Sequence, residues 1–140
     1  MIPKIIHYCW LGDSEFPELV KKCIQSWKKK MPDWEFILWD KNCLKDLNSD
    51  WVNEAYSTKK YAFAADYIRL YAVNKFGGFY LDSDVEVLKN FAPLLDSPYI
   101  FALENEIGDI EAATFGSEPN NPYVQKCLSY YEGRNFIKKD

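Results

Sequence analysis

The segment from Ile2 to Trp39 constrains the fold more than any other part of the chain. Ile2 to Tyr8 is a short, mostly apolar run that leads to Gly12, the pattern of a buried strand entering a loop. Pro17 and Glu18 then open a helix, with proline in the first turn and acid near the positive helix end. Leu19, Val20, Cys23, Ile24 and Trp27 recur at helical spacing, and Met31-Pro32-Asp33 stops the run. Trp34 to Trp39 is a second strand, dense in aromatic and branched residues. Strand, helix, strand in this order favours a right-handed crossover and a parallel sheet covered by helices.

The later chain continues the pattern. Short helical turns are predicted around Lys41 to Leu47 and Trp51 to Tyr56, and a long helix over Lys60 to Phe76. Gly77-Gly78 ends that helix, the first glycine suiting a left-handed cap. Phe79 to Leu81 reads as a short apolar strand running into Asp82-Ser83-Asp84, and Val85 to Leu88 as a return to extended chain. Tyr99 to Leu103 and Ala112 to Phe115 read as further strands, Gly116 to Pro122 as a turn-rich loop, and Asn121-Pro122 as the start of a last helix through Tyr131. No repeat or linker interrupts residues 1–140, so one α/β domain is expected.

Composition narrows the function. With 140 residues, 48% hydrophobic and 17% aromatic, the chain can bury a core and is not a disordered segment. Seventeen basic against twenty-one acidic residues give a net charge of −4, which argues against a nucleic-acid partner. Lys21, Lys22, Lys28, Lys29 and Lys30 decorate the first helix; they read as a solvated face, with peripheral association at an anionic membrane as the alternative. Cys9, Cys23, Cys43 and Cys127 form no C-x-x-C pair, and the single histidine, His7, leaves no zinc-finger spacing. The N-terminus lacks signal-peptide features, and no apolar run approaches the roughly 20 residues that span a bilayer. A reduced, cytoplasmic protein is the expectation, with association at the inner membrane face as an addition.

Two features carry chemistry. In open α/β sheets ligands bind beyond the carboxyl ends of the strands, where Asp82 and Asp84 fall. Alternation along a strand would put both carboxylates on one face. Two unit charges 4 Å apart repel by about 4 kcal/mol at an effective dielectric near 20. A hard divalent cation removes that penalty and can bridge a diphosphate that bare carboxylates would repel. The second feature lies in the preceding helix, which is almost wholly apolar from Tyr61 to Phe76 yet carries Asp66 and Arg69 three residues apart. Buried charges need partners. One reading is an intrahelical ion pair sealing the core; the other, which we prefer, is a sugar pocket lined by both residues, because only two glycines separate the helix from the D-x-D strand.

Three separated motifs now suggest a family: Ile2-Pro3-Lys4-Ile5-Ile6-His7 with Trp10-Leu11-Gly12, Ala65-Asp66 with Arg69, and Gly77-Gly78-Phe79-Tyr80-Leu81-Asp82-Ser83-Asp84. In this order, over roughly residues 2–124, the chain resembles the DXD-containing sugar transferases. These include capsular-polysaccharide and mannosyl transferases and, more distantly, the clostridial glucosylating toxins. The resemblance implies a GT-A fold and transfer, with retention, from a UDP- or GDP-sugar to a glycan or lipid-linked acceptor, as in surface polysaccharide synthesis. It implies that Trp10 lies against the nucleotide base, that Asp66 and Arg69 hold the donor sugar, and that Asp82 and Asp84 organise Mn²⁺ or Mg²⁺ on the diphosphate. Packing is the competing role for Trp10, and His7 reads as a structural histidine. Members of that family run longer, so a donor-binding domain truncated at its C-terminus is expected.

Two other classes compete. Haloacid-dehalogenase-like phosphatases also place D-x-D after a strand, but they want a small hydroxyl residue two positions later, where this chain has Glu86. A non-catalytic module that binds only nucleotide or a protein partner is the other.

Overall fold

The computed structural model describes residues 1–138. Its elements are β1 (Ile5–Cys9), α1 (Glu18–Lys30), β2 (Glu35–Trp39), a 3₁₀ turn (Lys41–Cys43), α2 (Leu44–Leu47), α3 (Asp50–Ser57), α4 (Tyr61–Phe76) and β3 (Gly78–Leu81). A second 3₁₀ turn (Ala92–Leu94), β4 (Tyr99–Leu103), β5 (Ile110–Ser117) and α5 (Pro122–Ser129) complete the chain. The five strands form one sheet in the order β2-β1-β3-β5-β4.

β1 runs parallel to both β2 and β3, as the strand–helix–strand reading requires. β5 runs antiparallel to β3 and to β4, so the sheet is mixed, with its parallel part on one side. Side-chain alternation divides the core. Ile6, Tyr8, Phe79 and Leu81 meet Val20, Ile24 and Trp27 of α1. Tyr80 faces the other way, toward Val73 of α4 and Val124 of α5, while Leu11, Ala64 and Ile68 pack with α3.

Three departures from the sequence reading have local causes. Val85 to Leu88 is irregular chain because α1 supplies its hydrogen bonds: Trp27 Nε1 donates to Val85 O at 2.7 Å, and Val87 N donates to Ser26 Oγ at 2.9 Å. Gly116 belongs to β5 rather than to a turn, because a Cβ there would run into the Phe79 ring across the sheet. Phe63 and Phe76 are 47% and 40% exposed, so α4 is less enclosed than its apolar sequence predicts.

Gly78 sets the approach of β3 to β1. Its φ of +101° lies in the region that glycine alone enters freely, and a Cβ there would stand 2.7 Å from the Ile5 carbonyl oxygen. Gly77, at φ +68°, caps α4 by donating its N–H to Val73 O at 2.8 Å.

His7 is fully buried at the centre of the sheet. Nε2 lies 2.9 Å from Gly77 O, and Trp39 Nε1 donates to Nδ1 at 3.1 Å. These partners define a neutral ring that donates through Nε2 and accepts through Nδ1. A second proton would face the Trp39 N–H, donor against donor. Burial lowers the His7 pKa, with the Gly77 contact opposing. The unfolded chain therefore takes up a proton that the native state refuses, and stability falls as pH drops below about 6.5. We expect denaturation midpoints to fall through that window, by up to about 1.4 kcal/mol per pH unit for one proton. His7→Gln should flatten the slope; an unchanged slope in the variant would assign it to other groups.

Candidate functional site

β1 and β3 are parallel neighbours with His7 opposite Tyr80, so Trp10 and Asp82 leave the sheet at the same end. Asp82 N donates to Ala113 O at 2.9 Å, which ties the segment after β3 to β5. Val85 N donates to Asp82 O at 3.0 Å, closing a turn around Ser83 and Asp84. The two aspartates are thus brought together by a turn beyond the strand, where alternation no longer applies. Asp82 is partly buried and Asp84 exposed.

Arg69 organises this end of the sheet. It stands on the buried side of α4, one helical turn after Asp66, with its side chain only 11% exposed. Nη2 lies 3.2 Å from Asp82 Oδ1 and 3.7 Å from Asp66 Oδ1. Nη1 donates to Ala112 O at 2.7 Å and Nε to Ala65 O at 3.2 Å. The guanidinium carbon lies 4.6 Å from the centre of the Tyr80 ring, a cation–π contact. Of the two sequence readings of Asp66 and Arg69, the intrahelical pair exists, and the same arginine ties α4 to the D-x-D turn.

The carboxylates are held in a strained electrostatic balance. Burial raises the Asp82 pKa; Arg69 and the Tyr80 phenol oppose this, while Asp84 and Glu111 add to it. Burial also raises Asp66, with Arg69 opposing and Asp82 adding. Asp66 and Asp82 thus share one arginine while Asp84 and Glu111 add negative charge near Asp82, an arrangement that repels a bare diphosphate. Among the described residues, no three His, Cys, Asp or Glu side chains are grouped to hold a metal. Asp82 and Asp84 offer two hard carboxylates that would hold a divalent cation, and the cation would offset their charge toward a diphosphate. The residues present fit such an ion.

Two cavities bear on the site. One of about 620 Å³ is lined by Trp10, Gly12, Phe16, Leu38, Asp40 and Asn42. The Trp10 ring is fixed in it: Nε1 donates to Ser14 O at 3.0 Å, and Phe16 meets it edge-on at 5.5 Å. Lys41 and Asp13, 2.7 Å apart, form an exposed ion pair at its rim. The other, about 830 Å³, begins at Asp66, Arg69 and Glu111 and runs between β4, β5 and α5 over mainly aromatic side chains.

What decides the family is a match of residues 17–101 to the family described as a glycosyltransferase sugar-binding region containing a DXD motif. The chain belongs to this family. The DXD glycosyltransferase match spans Asp66, Arg69, Asp82 and Asp84, while Trp10, Glu111 and most of the larger cavity lie outside it. Similar proteins include inositol phosphoceramide mannosyltransferase 1 of Schizosaccharomyces pombe, 27% identical over 98% of this chain and 46% of its own length. Mannosyl phosphorylinositol ceramide synthase SUR1 of Saccharomyces cerevisiae is 30% identical over 91% of this chain and 34% of its own. The chain therefore spans less than half the length of these relatives. Among solved structures, PaToxG glycosyltransferase superposes with a TM-score of 0.71 at 22% identity, covering 91% of this chain and 58% of that one. The fold is that of a GT-A-type glycosyltransferase domain.

Three further features of the site have no role assigned from the sequence: Tyr80, Glu111 and the Ala112 carbonyl. Tyr80 was legible in principle, since strand alternation puts it on the side of Asp82. Glu111 and the Ala112 carbonyl were not, because only the antiparallel pairing of Leu81 with Thr114 brings them near the turn.

Proposed function

We propose that this chain is the donor-binding part of a metal-dependent glycosyltransferase that takes a nucleotide sugar. The observation that carries the reading is Arg69, a nearly buried guanidinium 3.2 Å from the first aspartate of the D-x-D turn and 3.7 Å from Asp66. An arginine so placed orients donor phosphates or sugar hydroxyls while it keeps Asp82 from repelling them. Asp66, 44% exposed, is free to accept from sugar hydroxyls. Trp10 offers an apolar face to a base. Asp82 and Asp84 would hold Mn²⁺ or Mg²⁺, which supplies Lewis-acid neutralisation of the charge on a departing nucleoside diphosphate. Transfer with retention is part of the proposal.

The acceptor is proposed to be lipid-linked. The names of both yeast relatives describe mannosyl transfer to an inositol-containing ceramide, which supports that choice over a free glycan. The lysines of α1 do not help decide membrane attachment. Lys4 pairs with Asp33 at 2.7 Å, so α1 ends beside the start of β1, and Lys28 to Lys30 stand at the opposite end from Asp82. Among the described residues, no helix is long and apolar enough to cross a membrane.

A thermal-shift panel of UDP-, GDP-, CMP- and dTDP-sugars, each with and without manganese, tests the donor reading. One base class should stabilise the chain in the presence of the metal, by about 2.7 kcal/mol at a hundredfold excess over Kd. Silence across the panel would overturn it.

A further inference from the structure

We infer that the groove of about 830 Å³ beside Arg69 is the acceptor subsite, and that it takes an amphiphile: hydroxyls at the Asp66 end, hydrocarbon along the aromatic walls. The assignment rests on the donor reading above. Its walls are Phe101, Ile110, Phe115, Tyr123, Tyr130 and Tyr131, and its inner end is Asp66, Arg69 and Glu111. Ile110, Tyr123 and Tyr130 are more than half exposed, an unusual cost for large apolar side chains gathered in one place.

The shape and the polarity select the occupant. The volume falls within the roughly 300–1,000 Å³ typical of small-molecule sites, and the groove is concave. A wholly apolar cover would desolvate Asp66 and the rest of the charged end without replacing its hydrogen bonds. A nucleotide or a polyanion would meet Glu111 and Asp66 head-on. A hydroxyl-rich headgroup joined to an alkyl chain satisfies both ends at once. Continuity completes the argument: Asp66 and Arg69 belong both to this groove and to the D-x-D cluster, so a hydroxyl held at the charged end lies next to the donor sugar. Glu111 is fixed there by its own strand, its Oε1 accepting from Ala113 N at 2.8 Å.

The test uses the whole chain with octyl, decyl and dodecyl β-maltosides below their micelle concentrations, and maltose as the chainless control. Binding is followed by tyrosine and tryptophan fluorescence. Affinity should rise about two- to fourfold for each added methylene, with maltose far weaker. Ile110→Asp and Tyr123→Asp, both at exposed positions, should abolish the dependence on alkyl length. The manganese-dependent donor shift, read in the same samples, reports folding and separates the two readings. Length-independent affinity, or undiminished length dependence in both variants, would overturn the groove assignment. So would a concentration-dependent dimer abolished by the same variants without alkyl binding. Alkyl binding with no donor shift from any nucleotide sugar would leave a lipid site and refute its acceptor role.

Discussion

Asp84→Ala is expected to remove metal-dependent donor stabilisation and to lower transfer about 10²- to 10³-fold, while the apo protein melts where the parent does. The functional loss follows from charge. A cation that helps a diphosphate depart is worth several kcal/mol in the transition state, and it needs both hard oxygens to stay in register with the phosphates. The unchanged melting follows from position: Asp84 is exposed and forms no ion pair among the described residues. Its negative charge even raises the Asp82 pKa, so removing it relieves a repulsion. Melting curves with and without manganese and donor, beside a transfer assay on the longest protein that carries this chain, would check both halves. Retention of the manganese-dependent shift in the variant would refute the assignment of Asp84 as a metal ligand.

Arg69→Leu is expected to fail differently, losing donor binding and about 2–3 kcal/mol of stability together. A buried ion pair broken at one partner costs about 3–5 kcal/mol because the other charge stays desolvated. Here Asp82 and Asp66 keep 33% and 44% of their exposure, which screens part of that cost. The variant also leaves Ala112 O without its 2.7 Å donor. Arg69→Lys should recover part of the stability and little of the donor binding, because one ammonium cannot reach Ala65 O, Ala112 O and Asp82 at once. Chemical denaturation and the donor panel together read this out. A leucine variant as stable as the parent, with the donor shift intact, would show that the arginine is ornamental to both fold and site.

The two variants divide the site along the line that separates what sequence reading reaches from what it misses. The D-x-D pattern that holds Asp84 was legible because it is local: two aspartates one residue apart, after Gly-Gly and three apolar residues, at the carboxyl end of a strand. The partnership of Arg69 with Asp82 was not, since thirteen positions separate them and the spacing of Asp66 to Arg69 is explained by the helix alone. Likewise α1 declares itself by periodicity, α4 by a long apolar run closed by Gly77, and β1 and β2 by short apolar runs. β5 was read as Ala112 to Phe115 because a glycine at 116 resembles a turn until Phe79 is seen to occupy the space of its Cβ.

By itself, then, the sequence determined most of the elements, the strand–helix–strand order that favours parallel pairing of β1 and β2, and the identity of the residues from Trp10 to Asp84 that carry the family resemblance. These follow from interactions within a few residues: hydrogen bonds along a helix, alternation along a strand, the freedom of Gly77 and Gly78. Tertiary structure alone decided the antiparallel addition of β5 and β4, the convergence of Asp66, Arg69, Asp82 and Glu111, the hydrogen-bond partners of His7, and the groove that opens beside them. Those depend on which distant surfaces meet, and burial energy, which chooses among the pairings, acts without regard to separation along the chain.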